Sequence, residues 1–443
     1  MTVYFHTFGC KVNQYETDCI AAVMLQRGHT RVYDQRSADI VIINTCTVTE
    51  SADSKLMQLL RRIKRENPQA VTVVCGCYPQ AHKDLSLIKE ADIIAGENNK
   101  TLIPSLIDNY ISDRQKLVSI LPHKKGESIE SMSLPERKDK TRAIIKIQDG
   151  CDRFCSYCII PYARGRSRSK PLSDIENEAY YLGLAGHKEI VLVGINLSCY
   201  GADLSESSYA DGLPDANHTP DLCDAVCAAA KSSADRIRLG SIEPEMLTPE
   251  LIKRLSKEDK LCPHFHLSLQ SGCDKTLQEM RRRYNTADYE LLVKTLRESF
   301  DGCSITTDIM TGFPGETEED FLQSLSFVKK VGFSSAHVFP YSEREGTLAA
   351  KRSDQVPKSM RLKRAKIMTA AVKESEREFL QSLVGKTVSV LFEREQNDDW
   401  HQGHTSSYTL VKVKRTHLSL WREILNVRIT AAEDGYCVGE IVD

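Results

Sequence analysis

Residues 150–159 read Gly-Cys-Asp-Arg-Phe-Cys-Ser-Tyr-Cys-Ile and place three cysteines, Cys151, Cys155 and Cys158, in one short loop. Thiolates at this CxxxCxxC spacing can bind three irons of a cubane iron–sulfur cluster. A cluster normally takes four protein ligands, so three leave one iron open to a substrate, much as a catalytic zinc keeps an open position. A zinc site usually pairs a CxxC with a second, distant pair. The spacing therefore favours a cluster with an open iron over a zinc site or buried structural cysteines.

The sequence around this loop predicts a barrel of parallel strands. An apolar strand, Ala143–Ile147, comes directly before the loop. Five further strand-like runs follow, separated by helical stretches: Glu189–Val193, Arg236–Leu239, His264–Leu269, Ser304–Met310 and Ala336–Phe339. Six such units predict an open, partial TIM-like barrel, in which chemistry takes place at the carboxyl ends of the strands. Residues 202–220 lack periodicity and are predicted to be a surface insertion.

The first segment, residues 1 to about 110, also alternates strands with helices. Its predicted strands are short and apolar: Val3–Phe8, Asp39–Asn44, Val71–Cys75 and Asp92–Ala95. Helices are predicted between them, for example over residues 14–26 and 52–66. This alternation predicts a parallel sheet that is covered by helices on both faces.

A cysteine follows each of the three longer strands of this first segment, namely Cys10, Cys46 and Cys77. Because sites in open α/β sheets gather at the carboxyl ends of strands, these cysteines are expected to converge on one edge. Convergence would create a second three-cysteine site. The alternative is that they are buried packing residues, since free cysteine is among the most buried residue types. Cys75 still belongs to its strand and is interpreted as a packing residue.

Two further segments complete the chain. Residues 121–141 are polar and rich in charge and are predicted to form a solvated linker. The tail, from about residue 383, contains four short β-type runs and is predicted to form a small all-β barrel. The tail has seven Lys and Arg residues against nine Asp and Glu residues, which gives little electrostatic support to RNA binding. Arginine and aromatic contacts to RNA do not require a net positive charge.

Composition limits the functional classes. The 443 residues suffice for about three domains. Fifteen cysteines in a chain whose first residues lack the basic region of a signal peptide point to the reducing cytoplasm. No apolar run reaches the length of a membrane span, so no membrane association is expected. The net charge of −2 means that any contact with nucleic acid must use local basic patches.

Three stretches precede the CxxxCxxC loop in a fixed order: Thr7-Phe-Gly-Cys-Lys-Val-Asn-Gln-Tyr-Glu-Thr-Asp18, Ile43-Asn-Thr-Cys-Thr-Val-Thr49 and Cys75-Gly-Cys-Tyr-Pro-Gln80. With that loop, they resemble the methylthiotransferase family of radical S-adenosylmethionine (SAM) enzymes over nearly the whole chain. The resemblance implies an N-terminal methylthiotransferase domain over 1–120, a linker over 121–141, a radical SAM barrel over 142–375 and a C-terminal TRAM barrel over 380–443. The implied fold class is α/β, with a small all-β domain at the end.

The resemblance also implies the cofactors. In this family, the cysteine loop of the barrel holds a [4Fe–4S] cluster that binds SAM and cleaves it to methionine and a 5′-deoxyadenosyl radical. An auxiliary [4Fe–4S] cluster supplies sulfur, and a second SAM supplies the methyl group. This assigns the first cluster to the cysteines of residues 151–158 and the auxiliary cluster to Cys10, Cys46 and Cys77. An electron donor such as a flavodoxin or a ferredoxin is implied, and no side chain is assigned as catalytic because the cofactors carry the chemistry.

Five residues match stretches that contact SAM in related enzymes. Gly194 and Asn196 correspond to the contact with the methionine amino group. Ser241 and Glu243 correspond to the stretch that contacts the ribose, where a carboxylate can accept hydrogen bonds from two hydroxyls. Gly312 lies where close backbone approach to the adenine is plausible. The alternatives are a solvated loop acid for Glu243 and an ordinary turn for Gly312.

One subgroup of this family acts on threonylcarbamoyladenosine in tRNA. Its sequences are the most similar to this chain at residues 10–17, 146–155 and 160–165. The predicted reaction adds a methylthio group to the adenine of that nucleoside, next to the anticodon. Alternatives within the family are isopentenyladenosine in tRNA and an aspartate of a ribosomal protein. Alternatives of another class are a non-catalytic iron–sulfur protein that binds RNA or transfers electrons, and a zinc-containing RNA-binding protein. An electron carrier usually completes four ligands per cluster, which argues against that class.

Three groups of basic residues are candidates for contacts with tRNA phosphates. The groups are Arg164, Arg166, Arg168 and Lys170 after the cysteine loop, Arg281–Arg283, and the five cations within residues 358–366. For the last group a solvated helix face fits equally well.

Overall fold

The computed structural model describes residues 1–132, 140–204, 219–394 and 399–442. The predicted insertion at 202–220 lies mostly outside these ranges. The chain folds into two compact units. The first comprises Met1–Pro135, Gln148–Lys170 and Ser342–Lys351, and the second comprises Glu136–Ile147, Pro171–Tyr341 and Arg352–Asp443. The CxxxCxxC loop therefore folds with the N-terminal segment, although in linear order it lies within the barrel.

A six-stranded parallel sheet forms the first unit, in the order β2-β1-β3-β4-β5-β6. Its strands are β1 (Thr2–Thr7), β2 (Thr30–Arg31), β3 (Ile40–Thr45), β4 (Val71–Gly76), β5 (Ile93–Ala95) and β6 (Leu117–Ser119). Its helices are α1 (Lys11–Gln26), α2 (Glu50–Glu66), α3 (Cys77–Ala81) and α4 (Ile103–Asp113). Every residue of β3 and β4 is buried, as expected for central strands. The predicted parallel sheet is confirmed, and the strands that the sequence missed, β2 and β6, are short and lie at its edges.

The cysteine loop is closed at its base by a short antiparallel ladder. Strand β7 (Arg142–Lys146), which belongs to the second unit, leads into β8 (Gln148–Asp149). Strand β8 pairs with β9 (Arg168–Ser169), and helix α5 (Ile160–Arg164) lies between the cysteines and β9. The loop is therefore a compact excursion whose two ends are joined by hydrogen bonds.

Two parallel sheets form the barrel of the second unit, in the orders β11-β10-β7 and β12-β13-β14-β15. The strands are β10 (Glu189–Val193), β11 (Arg236–Leu239), β12 (Ser241–Ile242), β13 (His264–Leu267), β14 (Ser304–Thr311) and β15 (Ser335–Pro340). The helices are α6 (Leu172–Leu184), α7 (Leu222–Ala230), α8 (Pro249–Leu255), α9 (Asp274–Glu279), α10 (Thr286–Ser299), α11 (Glu318–Val331) and α12 (Lys358–Gln381). Strands β11 and β12 are one strand interrupted at Gly240, so the six predicted strand positions and the partial barrel are confirmed.

The tail forms a closed five-stranded barrel in the order β16-β17-β18-β20-β19. Its strands are β16 (Thr387–Phe392), β17 (Trp400–Thr405), β18 (Leu410–Lys414), β19 (Ile424–Glu433) and β20 (Tyr436–Ile441). The predicted all-β barrel is confirmed. Strand β17 was missed because its sequence, Trp-His-Gln-Gly-His-Thr, is largely polar. Its Gly403 is required, since an added Cβ would lie 2.3 Å from the carbonyl oxygen of Leu391.

The tail barrel attaches to the first residues of the strands in the central barrel. Arg236, the first residue of β11, donates from Nη2 to the carbonyl oxygen of Ser389 at 2.8 Å. Ser304, the first residue of β14, donates from Oγ to the carbonyl oxygen of Ser407 at 2.6 Å. Arg238 donates to the carbonyl oxygen of Ser406 at 2.8 Å. The tail therefore covers the amino-terminal ends of these strands.

Glu189 is the buried anion at the centre of this attachment. Its carboxylate accepts from Arg238 Nε at 2.7 Å and from Arg142 Nε at 2.9 Å. Arg142 also pairs with Glu393 of the tail at 2.6 Å. Burial alone would raise the pKa of Glu189, but the charges of Arg238 and Arg142 hold that pKa at about 2.

We expect Glu189→Gln to lower the free energy of unfolding by about 3–5 kcal/mol, because it leaves buried arginines without their carboxylate. A carboxyl whose folded-state pKa is depressed stabilises the protein above its unfolded-state pKa and loses this effect as pH falls. The wild-type advantage over the variant should therefore shrink between about pH 4.5 and pH 2. Urea denaturation of the cofactor-free protein at several pH values measures both effects. Glu290→Gln, which removes an exposed pair with Lys330, is the matched control, and an equal loss in both variants would contradict the assignment.

None of the helices in the described ranges combines the length and the apolar character needed to cross a bilayer.

Candidate metal centres and cofactor site

Cys10, Cys46 and Cys77 lie at the carboxyl ends of three neighbouring strands. Cys10 is the N-cap residue of α1 after β1, Cys46 directly follows β3, and Cys77 is the first residue of α3 after β4. An added Cβ on Gly9 would lie 2.6 Å from Cβ and 3.0 Å from Sγ of Cys46, so the loop of Cys10 touches Cys46. Burial raises the pKa of the Cys46 thiol, the backbone N–H of Val48 lowers it, and the nearby Cys10 raises it further. Because β1, β3 and β4 are adjacent parallel strands, the three cysteines share the carboxyl-terminal end of the sheet, and the loop of Cys10 contacts Cys46 there.

Cys75 has a different environment from these three cysteines. It is a fully buried residue of β4, and its sulfur lies 3.6 Å from the carbonyl oxygen of Ile43 on the neighbouring strand. These contacts are those of a packing residue.

Two asparagines, which the sequence reasoning missed, hold the loops of Cys10 and Cys46. Asn13 donates from Nδ2 to the carbonyl oxygens of Phe8 and Thr45, at 2.9 and 2.8 Å. Asn44 donates from Nδ2 to the carbonyl oxygen of Asn13 at 3.0 Å. Both amides are buried. Asn44 interrupts the apolar run of β3, and this was the signal in the sequence that could have revealed its role.

The CxxxCxxC loop presents three half-buried cysteines, none of which forms a disulfide. The N–H of Cys151 donates to the carbonyl oxygen of Gly165 at 3.0 Å, and the N–H of Cys158 donates to that of Cys155 at 3.0 Å. Gly150 has φ of +71°, and an added Cβ would lie 1.9 Å from the carbonyl oxygen of Arg166, so only glycine fits there. Backbone contacts therefore hold the loop in one conformation.

The two cysteine sets belong to the same folded unit. Helix α3, which begins at Cys77, packs against α5, which follows Cys158. Each set offers three unoxidised thiols, the donor type that iron–sulfur clusters take. Both sets therefore fit a cluster that has three protein ligands.

The predicted SAM-binding residues lie at the carboxyl ends of the barrel strands. Gly194 and Asn196 follow β10, Ser241 and Glu243 lie at and after the short β12, and Gly312 follows β14. Ser198 ties the first two loops together, because its Oγ donates to the carbonyl oxygen of Glu243 at 3.0 Å and accepts from its N–H at 2.8 Å. The barrel thus gathers these loops at one end, opposite to the end that the tail covers.

Protein contacts are described for Glu243 and Gly312. The carboxylate of Glu243 pairs with Arg282, so the alternative of a solvated loop acid is wrong. Gly312 has φ of +70°, and an added Cβ would lie 2.5 Å from Cγ of Arg361. Its lack of a side chain is therefore explained by packing on Arg361. A role for either residue in SAM binding stays a prediction.

Comparison with known proteins decides the family. Residues 2–96 match the profile of the uncharacterized protein family UPF0004, and residues 145–328 match that of the Radical SAM superfamily. The chain is 35% identical, over 100% of its length and 96% of the relative, to the threonylcarbamoyladenosine tRNA methylthiotransferase MtaB of Bacillus subtilis (strain 168). This chain belongs to the radical SAM methylthiotransferase family. It is also 37% identical, over 99% of its length and 96% of the relative, to the tRNA-2-methylthio-N(6)-dimethylallyladenosine synthase of Clostridium novyi (strain NT).

A solved structure supports the fold. The radical SAM methyltransferase TsrM from Kitasatospora setae superposes with a TM-score of 0.57 at 14% sequence identity, covering 79% of this chain and 74% of that chain. The family membership makes this protein an enzyme that uses a [4Fe–4S] cluster and SAM. Cys151, Cys155 and Cys158 offer three thiols to such a cluster, and three protein ligands would leave one iron open for SAM.

A buried group of charges lies between the two cysteine sets. Glu16, Glu97 and Asp149 place their carboxylates within 4.8 Å of one another, an arrangement that a metal ion could use. Two cationic side chains fill this space. Arg164 contacts all three carboxylates, at 3.0, 2.9 and 2.9 Å, and Lys100 pairs with Glu16 and Glu97. Cationic side chains of the protein therefore pair with all three carboxylates.

The predicted contacts of the basic residues after the cysteine loop with tRNA are wrong for Arg164, Arg168 and Lys170. All three are buried, and only Arg166 is exposed. Arg168 pairs with Glu127 at 2.5 Å, and Lys170 donates to the hydroxyl of Tyr15 at 3.0 Å. Their partners lie far away in sequence, which is why the cluster of positive charge was misleading.

In the other two basic groups, Arg281–Arg283 and the cations within residues 358–366, only some side chains are exposed and could contact tRNA phosphates. The side chain of Arg282 is buried and pairs with the half-buried Glu243, whereas Arg281 and Arg283 are exposed. In α12, Arg361 and Arg364 are buried, and Lys358, Lys363 and Lys366 are exposed. Part of the predicted linker is also structured, since His123 pairs with Glu127 at 2.7 Å and contacts the carbonyl oxygen of Ala163 at 3.0 Å.

Proposed function

We propose that this cytoplasmic enzyme converts N6-threonylcarbamoyladenosine, next to the anticodon of tRNA, to its 2-methylthio derivative. The observation that carries the proposal is the presence of two three-cysteine sets in one folded unit. Two sets with three ligands each suit a reaction that needs two open irons, whereas an electron carrier usually completes four ligands per cluster. The proposal includes a second [4Fe–4S] cluster on Cys10, Cys46 and Cys77.

The proposed division of labour between the two sets is the one that the family resemblance implies. When bound, a cluster on the CxxxCxxC loop supplies the electron that cleaves SAM, and a cluster on the strand-end cysteines supplies sulfur. The protein orients these groups. The ladder of β8 and β9 and the contact of Cys151 with Gly165 close the first loop. Asn13 fixes the backbone before Cys10 and before Cys46. A flavodoxin or a ferredoxin is the proposed source of electrons.

Two observations support the substrate assignment. They are the sequence of residues 10–17 and the similarity to the threonylcarbamoyladenosine tRNA methylthiotransferase of Bacillus subtilis. Overall identity does not separate the two tRNA substrates, because the dimethylallyladenosine relative from Clostridium novyi is 37% identical. That value makes tRNA bearing dimethylallyladenosine, which is the isopentenyladenosine named above, the second candidate substrate.

Loss of the protein from its cells is expected to remove the 2-methylthio form of threonylcarbamoyladenosine from tRNA while the unmodified precursor accumulates. Nucleoside mass spectrometry measures both.

Reconstituted enzyme should convert tRNA bearing threonylcarbamoyladenosine and leave tRNA bearing isopentenyladenosine largely unchanged. Turnover of the isopentenyl substrate alone would refute the substrate assignment and leave the family assignment intact.

Binding of tRNA phosphates requires exposed cations, and two of the exposed pairs are chosen for a test. Arg281 and Arg283 follow α9, and Lys414 and Arg415 lie at the end of β18. Deleting the tail is a poor test of its role, because deletion would uncover Arg236 and Arg238, which its carbonyl oxygens now satisfy. Substitutions on the surface avoid this problem.

We expect Lys414→Glu with Arg415→Glu, and separately Arg281→Glu with Arg283→Glu, each to weaken tRNA binding partially. Combining the two pairs should weaken binding about additively in free energy, since the sites are independent. Each lost phosphate contact should reduce the slope of log affinity against log salt by about 0.7–0.9. Titration with tRNA at several salt concentrations measures this, with unchanged melting temperature as the control for folding. An unchanged affinity and slope in either double variant would remove that pair from the tRNA-binding surface.

A further inference from the structure

One buried side chain contacts residues that hold both cysteine sets. Arg164 is fully buried and lies at the end of α5, six residues after Cys158. Its guanidinium makes hydrogen bonds or ion pairs with Asn13, Glu16, Glu97 and Asp149. The first three of these residues belong to the N-terminal sheet region, and the last is in β8 at the base of the cysteine loop. Arg164 thus joins two parts of the first unit that are far apart in sequence.

Towards Cys10 and Cys46, the connection runs through Asn13. Arg164 donates from Nη2 to Oδ1 of Asn13 at 2.6 Å, and the same oxygen lies 3.6 Å from the sulfur of Cys10. The other end of the amide donates to the carbonyl oxygens of Phe8 and Thr45. Those carbonyls precede Cys10 by two residues and Cys46 by one. The orientation of the Asn13 amide therefore determines the position of two of the three loops.

Towards Cys77, the connection runs through Glu97. Arg164 Nη1 lies 2.9 Å from Oε1 of Glu97, and Oε2 of Glu97 lies 4.0 Å from the sulfur of Cys77. A single residue, Asn13 or Glu97, therefore links the guanidinium to Cys10 and to Cys77, and Asn13 together with the backbone of Thr45 links it to Cys46.

Towards the CxxxCxxC loop, Arg164 has two connections. The first is covalent, through the short helix α5 that follows Cys158. The second is the ion pair with Asp149 at 2.9 Å, next to Gly150 and Cys151. Both ends of the cysteine loop are therefore tied to the same guanidinium.

We infer that Arg164 is a positioning residue that fixes the strand-end cysteines and the CxxxCxxC loop relative to each other. This inference rests on the proposed function, because it assigns to Arg164 the spacing between the two proposed clusters. A guanidinium suits this role because its donors form a rigid, planar fork that can reach several acceptors at once. A lysine ammonium keeps the charge but not this geometry. Residues that orient metal ligands in this way are needed for function without binding the metal themselves.

Lys100 provides a matched control. It is as buried as Arg164 and pairs with two of the same carboxylates, Glu16 and Glu97. Both of these partners lie in the N-terminal segment, so Lys100 shares the charge environment without joining the cysteine loop. Lys100→Gln and Arg164→Gln each remove one buried cation, whereas Arg164→Lys retains the charge and removes the fork.

The test compares wild type, Arg164→Lys, Arg164→Gln and Lys100→Gln after anaerobic reconstitution. Three quantities are measured: iron and sulfide content, the magnetic interaction between the two reduced clusters by electron paramagnetic resonance, and 5′-deoxyadenosine released per methylthiolated nucleoside. We expect the Arg164 variants to retain both clusters, to show an altered magnetic interaction, and to release about 10- to 100-fold more 5′-deoxyadenosine per product. Displacement of a reacting group by about 1 Å costs that much. Lys100→Gln should match the wild type in the last two quantities, although its melting temperature falls.

An unchanged magnetic interaction and an unchanged release ratio in Arg164→Lys, in a protein with two clusters, would overturn the inference and leave the proposed function standing. The same changes in Lys100→Gln as in Arg164→Gln would also overturn it, since loss of buried charge would then be sufficient. A single cluster in the wild-type protein would overturn the proposed function itself, and the inference with it.

Discussion

Replacing Cys10, Cys46 and Cys77 together by alanine should leave the cleavage of SAM intact while methylthiolated nucleoside falls below detection. The reason is that the CxxxCxxC loop has its own ladder and its own backbone contacts, which do not involve these three cysteines. Parallel assays of 5′-deoxyadenosine and of modified nucleoside measure the two outputs. Loss of SAM cleavage from a protein that still holds one cluster would contradict the division of labour.

The neighbouring Cys75 is the control for this variant. It is buried within β4 and contacts Ile43 across the sheet, so its sulfur faces the packed strands. Cys75→Ala should therefore leave both outputs nearly unchanged. A severe loss in this variant would make Cys75 a better candidate ligand than Cys77.

Replacing Cys151, Cys155 and Cys158 by alanine should remove about half of the iron and half of the sulfide, because each set would hold one cubane. Cleavage of SAM should fall to background, since no other described loop at a barrel strand end offers three cysteines at this spacing. Metal and sulfide analysis after anaerobic reconstitution measures the first effect, and release of 5′-deoxyadenosine measures the second.

Cys227→Ala is the control for the second variant, because Cys227 is exposed on α7, in the second unit, outside both cysteine sets. It should retain the full iron and sulfide content and normal SAM cleavage. Loss of all iron from the 151–158 variant, or loss of none, would count against two independent clusters.

The convergence of Cys10, Cys46 and Cys77 could be predicted from the sequence because it follows from topology alone. Each cysteine comes directly after an apolar run, and the carboxyl ends of neighbouring parallel strands lie side by side. The same reasoning separated Cys77 from Cys75, since Gly76 marks the end of β4. The six strands of the central barrel could be predicted for a similar reason, because each is a short apolar run between helices.

The roles of Arg164, Arg168 and Lys170 could not be predicted in this way. Four cations within seven residues indicate a surface patch if their partners are unknown. Three of them pair with residues from the N-terminal segment or from the predicted linker, at separations such as 148 residues between Arg164 and Glu16. Sequence position gives no information about such partners. Glu243 shows the same limit, because its partner Arg282 lies 39 residues later, between α9 and α10.

The attachment of the tail to the starts of the barrel strands sets a distance. Strands of about five residues extend about 17 Å, and their tilt shortens this height, so the attached tail lies on the order of 15 Å from the loops that are predicted to bind SAM. A single nucleotide cannot bridge this gap, but a folded stem and loop can. Under the proposed function, the barrel acts as a spacer that measures how far the modified base lies from the part of the RNA that the tail holds. Short fragments that contain only the target nucleoside should then be poor substrates even when the chemistry is intact.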